Sequence, residues 1–140
     1  MSMAFTSETS AGSGCTSGAW DFYRWLARNY GWKPIGTRAP KRISFWFRKW
    51  DGGYHWNEGQ WVTREDAAAF ADALERNLQD PDRATRQRMV VRAIGAEVLR
   101  MAREQHGIEL PDESATEPLP SDDDLRELIS FCRKGSFRID

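Results

Sequence analysis

This sequence is short of nearly every feature that announces a chemistry. It has two cysteines, Cys15 in a Ser/Gly-rich lead and Cys132 on an apolar helical stripe. That is no disulfide framework, and reduced thiols are expected. Metal-ligand spacing is equally thin. His55 and Glu58 give one H-x-x-E pair, with His106 and Cys132 as the other soft candidates. A zinc centre needs about three or four converging ligands, so neither a metal nor any other cofactor is expected. There is no G-x-S-x-G elbow, and Gly52-Gly53 lead into an expected strand rather than a phosphate-binding helix. No catalytic residue can be assigned on these grounds. Nor does an apolar run reach the length of a bilayer, and the N-terminus has neither a basic region nor an apolar run of a secretory signal. A soluble, cytoplasmic chain that spans no membrane is the expectation.

A large excess of one charge is also missing. With 20 Lys+Arg against 21 Asp+Glu the net charge is −1, so no global field draws the chain to nucleic acid or to an anionic membrane. The charges are nevertheless segregated. Phe22 to Trp50 holds eight bases and no acid, whereas Glu104 to Glu127 holds nine acids and one base, Arg126. Either the two stretches form opposite surface patches or they face one another and cancel.

What is present in 140 residues suits one α+β domain, a small antiparallel sheet packed with about four helices. Residues 1–17, "MSMAFTSETSAGSGCTS", are small and polar, and read as a loose tail or extended arm ahead of a domain over 18–140. Phe22, Tyr23, Leu26 and Tyr30 mark a helix over Gly18 to Tyr30, stopped by Gly31 and Pro34. "KRISFWFRKW", Lys41 to Trp50, alternates as a strand with Ile43, Phe45 and Phe47 inward. Two glycine turns then flank a short Tyr54–Trp56 strand, and Gln60–Val62 follows as a third strand of a meander. Alternation would put Tyr54 and Trp56 on one face and His55 on the other.

Thr63 is placed to cap a helix with Ala67, Phe70, Ala71, Leu74 and Leu78 buried. Asp80-Pro81 opens a long helix to His106, with Val90, Val91, Ile94, Val98 and Met101 on its apolar side. Residues 108–120 are a Pro- and acid-rich connector without a period. Ser121 caps a final helix, and "SFRID" closes the chain as a short strand.

The seven tryptophans are the strongest anomaly, because all lie between Trp20 and Trp61. One face of a small sheet cannot bury them all, and an exposed Trp is a preferred interface anchor. A protein-binding surface is therefore expected, using Trp50, His55, Trp56 and Trp61 as contacts and the acids Asp122, Asp123 and Asp124 for steering. A second reading takes the basic, aromatic strand Lys41, Arg42, Trp46, Arg48 and Lys49 as a single-strand nucleic-acid groove. A third is a small enzyme centred on His55, whose intrinsic pKa suits acid–base work.

Two segments carry a resemblance. "NEGQWVTREDAAAFADALERNL", Asn57 to Leu78, and "FCRKGSFRI", Phe131 to Ile139, resemble a group of small bacterial proteins. These share an N-x-G-Q-x-V…D-A…A-x-A-L segment and an F-C-R-x-G-x-F-x-I-like tail, and "YGWKPIGT", Tyr30 to Thr37, is similar to their opening. No reaction is assigned to the group. The resemblance implies a non-enzymatic, immunity-type protein that would inhibit a toxin or other enzyme by steric and electrostatic occlusion.

Overall fold

A computed structural model describes residues 2–7, 12–40, 50–106 and 119–140. The expected strand over 41–49, with Lys41, Arg42, Trp46, Arg48 and Lys49, and most of the acidic connector lie outside the described residues.

The structure is an α+β fold. Strands β1 (Ser2–Ser7), β2 (Ser13–Thr16), β3 (Gln60–Val62) and β4 (Phe137–Ile139) form an antiparallel sheet in the order β2-β1-β4-β3. Helices α1 (Ser17–Asn29), α2 (Arg64–Gln79), α3 (Arg83–His106) and α4 (Asp122–Cys132) complete it. Of the lead segment, Ser2–Ser7 and Ser13–Thr16 are thus extended and paired in the sheet, not a loose tail. The alternation of β1 is short, but Met3 and Phe5 point inward and are buried, and the strand is held between β2 and β4. Phe5 lies opposite Ile139, which in turn lies opposite Gln60.

Local chemistry fixes the helix ends. Thr16 accepts from the Ala19 N–H at 3.1 Å to start α1. Its end is a Schellman turn: Gly31 sits at φ 96°, its N–H bonds the Arg28 carbonyl at 3.3 Å, and the Trp32 N–H bonds the Ala27 carbonyl at 3.0 Å. That turn drives Trp32 back into the core. Thr63 caps α2 by accepting from the Asp66 N–H at 3.2 Å. Ser121 and Asp124 form a reciprocal capping box on α4, with bonds of 3.1 and 3.2 Å.

Two helix expectations need correction. Pro81 is not the first residue of α3. The Asp80 carboxylate accepts from the Asp82 N–H at 2.9 Å, and this Asx turn delays the helix to Arg83. The apolar stripe of α3 is also only partly covered. Val90 is buried and Val91 and Ile94 pack on the core, while Val98 and Met101 are exposed.

The core is largely aromatic. Trp20 contacts Phe5 and Phe70 at ring separations of 4.9 and 5.5 Å, and Trp32 contacts Phe70 and Tyr54 at 4.9 and 5.4 Å. Such tilted and edge-on pairs are favoured by the ring quadrupole. This cluster spreads from the sheet to the start of α2, where it meets the Trp-rich loops.

Candidate functional site

The described loop residues between α1 and β3 are built around one buried carboxylate. Asp66, in the first turn of α2, is completely buried. Its Oδ1 accepts from Trp32 Nε1 at 2.9 Å and from the Ile35 N–H at 3.4 Å, and its Oδ2 accepts from the Tyr54 hydroxyl. That hydroxyl in turn accepts from the Gly36 N–H at 2.8 Å. The positive end of α2 adds a favourable field at the carboxylate. A buried charge is tolerated when its lone pairs are filled in this way. Burial, and then the same bond, raise the pKa of Tyr54, so it stays a neutral donor.

Two glycines seal the two loops together. Gly36 at φ 106° and Gly52 at φ 74° face each other, and the Thr37 N–H bonds the Gly52 carbonyl at 3.0 Å. Thr37 Oγ1 donates to the Gly53 carbonyl at 2.6 Å. A Cβ at either glycine would have to adopt a left-handed backbone, which L-residues disfavour.

Tyr54–Trp56 is a bend and not a strand. The Tyr54 carbonyl is taken by Trp20 Nε1 at 2.9 Å and its hydroxyl by Asp66, so side chains replace the ladder partners a strand would need. Alternation fails with it. Tyr54 is buried, whereas His55 and Trp56 are both exposed, Trp56 by 58%. Gln60 holds the far side of this bend: its Oε1 accepts from the Glu58 N–H at 2.9 Å and its Nε2 donates to the Trp56 carbonyl.

The seven tryptophans divide into separate roles. Trp20 and Trp32 are core. Trp50 is half-buried, its Nε1 donating to Thr37 at 3.1 Å. Trp61 is half-buried on β3, with the Arg138 guanidinium 6.0 Å from its ring centre. Trp25 is partly covered on α1, and Trp46 lies outside the described residues. Trp56 alone among the described tryptophans is mostly exposed, and Ile35 on the facing loop is exposed by 64%.

His55 leans on α1. Its Nδ1 lies 2.9 Å from Arg24 Nη2 and 3.7 Å from Asp21 Oδ1. Arg24 is 5% exposed, is paired with Asp21, and stacks 5.9 Å from the centre of Trp20. A guanidinium can only donate, so Nδ1 must accept. Desolvation, then the Arg24 charge, lower the His55 pKa, with Arg28 adding and Asp21 and Asp51 opposing. The ring is therefore neutral at pH 7 with its proton on Nε2. That outward nitrogen cannot take a proton from a substrate, which argues against His55 as a general base. No group of three or more His, Cys, Asp or Glu suited to a metal exists among the described residues.

The acids stand elsewhere. Asp122 pairs with Arg83 at the start of α3 at 2.7 Å, and Asp124 is consumed by the α4 cap. Asp123 is 94% exposed by side chain, with Arg126 3.3 Å away. None of the three has a hydrogen bond or ion pair to the aromatic loops among the described residues. The role of Asp66 as hub was not read from the sequence. The available signal was a run of Trp and Tyr whose polar atoms need a buried acceptor.

Among the described residues, no helix is long and apolar enough to cross a membrane. Comparison with known proteins yields no relative: no family model matches the chain, and no curated protein or solved structure is significantly similar to it.

Proposed function

We propose that this is a non-enzymatic, cytoplasmic protein-binding protein that occludes a protein partner, in the manner of a toxin-immunity inhibitor. The observation that carries the reading is the pairing of exposure with rigidity at Trp56. Its indole is mostly in solvent, yet its backbone is tied down by Gln60 and its neighbour Tyr54 by Asp66 and Trp20. An exposed indole on a pre-organised loop loses little entropy on docking, which is what interface anchors require. Ile35 and His55 add apolar and polar contact beside the same loops. Asp123 supplies acidic steering from the start of α4.

Photo-crosslinking in cells tests this. A benzophenone amino acid at position 56 should give one discrete protein adduct, absent when the probe sits at the exposed Asp72. The purified adduct partner should bind wild-type protein and lose about tenfold or more in affinity with Trp56→Ala. Binding of single-stranded oligonucleotides at low salt, with no protein adduct, would overturn the reading in favour of a nucleic-acid surface.

A further inference from the structure

We infer that His55 is a fixed outward hydrogen-bond donor, and that together with Arg28 it receives a carboxylate side chain of the docking partner. The inference rests on the protein-binding reading and adds the chemistry of what is bound. Three observations converge on it. Arg24 is nearly buried and its guanidinium faces Nδ1 at 2.9 Å. An unprotonated Nδ1 places the ring proton on Nε2 in the neutral imidazole. The side chain is 66% exposed, so with Nδ1 turned to α1 the Nε2 edge is the one offered to solvent.

The tautomer is thus set by a neighbour that cannot deprotonate. An ordinary exposed histidine interconverts between two tautomers and offers a donor or an acceptor as the partner demands. This one offers only a donor. Arg28, one turn beyond Arg24 on α1, is exposed and has no ion pair among the described residues. Four residues on from Arg24, it shares the side of α1 against which His55 leans. A donor beside an unpaired cation favours an anionic acceptor over a neutral carbonyl, because charge-assisted bonds are roughly twice as strong. Trp56 next in the chain supplies the apolar contact beside that acceptor.

The free protein gives the first measurement. Long-range ¹H–¹⁵N correlation spectra at pH 7.5 should show His55 as the Nε2–H tautomer, and Arg24→Gln should return it toward a mixture. A protonated Nδ1 in the wild type overturns the inference. The second measurement uses a phage-displayed random dodecapeptide library selected on wild-type protein and counter-selected on Trp56→Ala. Enriched peptides should contain an Asp or Glu whose replacement by Asn or Gln weakens binding about threefold to tenfold. His55→Gln, which keeps a nitrogen donor at the Nε2 position, should retain binding, and His55→Asn should lose it by the same factor. Peptides that depend on Trp56 but not on His55 or an acid sink this inference and leave the protein-binding reading standing. Recovery of no Trp56-dependent peptide sinks both.

Discussion

Removing the Asp66 carboxylate should be among the most destabilising single changes in the described structure. Asp66→Ala strands two buried donors together, the Trp32 indole N–H and the Tyr54 hydroxyl. Each buried polar group left unsatisfied costs about 1–3 kcal/mol. Allowing for some rotation of the phenol, the sum is about 3–5 kcal/mol, the range found when one member of a buried charged network is removed. Asp66→Asn is milder. Its oxygen can still serve Trp32, but its NH₂ then faces a phenol oxygen that already accepts from Gly36. About 1–3 kcal/mol should be lost. Urea unfolding followed by far-UV circular dichroism measures these costs as midpoint shifts at constant slope. A double-mutant cycle with Tyr54→Phe isolates the shared bond and should return a coupling of about 1 kcal/mol or more. An Asp66→Ala cost below about 1 kcal/mol would refute the hub, because a surface substitution costs about 0.5 kcal/mol or less.

Four further outcomes follow from the same geometry. Gly36→Ala should cost about 1–2 kcal/mol, since φ is 106° there, and a melting temperature equal to wild type would contradict it. Trp56→Ala should leave the urea midpoint within about 0.5 kcal/mol of wild type, its side chain being mostly in water. Burial, with a smaller contribution from Asp21, pushes the Cys15 thiol up to about 12, and burial pushes Cys132 up as well. Both thiols should therefore react slowly with a disulfide reagent at pH 8 until urea unfolds the chain, and rapid labelling of native protein would count against this. His55 has its folded pKa held below 6.5 by burial and by Arg24, with Arg28 adding and Asp21 and Asp51 opposing. As pH falls through that window the unfolded chain takes up the proton first, so stability drops; His55→Gln should flatten the slope of the urea midpoint between pH 7 and 5.

Parts of this architecture were legible in the sequence because they depend on near neighbours. Thr63, Ser121 and Gly31 act within one helical turn of themselves, and each performs the capping or stopping role its residue type implies. Parts that depend on distant partners were not. β1 contributes Met3 and Phe5 among Ser, Thr and Ala, too few apolar residues to mark a strand until β4 is beside it. Tyr54–Trp56 has strand composition, but Trp20, on α1, and Asp66, on α2, claim Tyr54 before a ladder can. Val98 and Met101 keep helical period with Val91 and Ile94, and period alone does not say where the core ends. For the candidate site, the concentration of tryptophan marked the stretch that holds the exposed Trp56. Which ring faces outward was decided by Asp66 and Gln60, whose roles are tertiary.

The middle of the sheet has a consequence for how the chain reaches this state. β1 and β4 lie side by side, joined beyond the ladder by the Ala4 N–H to the Asp140 carbonyl at 3.0 Å and by the return bond at 2.7 Å. Strands 134 positions apart in sequence are therefore nearest neighbours in space, as the Thr6–Asp140 bond also shows. Closing so long a loop is entropically costly, and pairing of this kind is late and slow. During synthesis α1 and α2 can form early, but Met3 and Phe5 have no strand on their β4 side until Phe137–Ile139 has left the ribosome. Until then the edge of β1 is open and can pair with another chain. The last strand thus acts as the closing stitch of the sheet, and the interval before it arrives is when this protein is most exposed to misassembly.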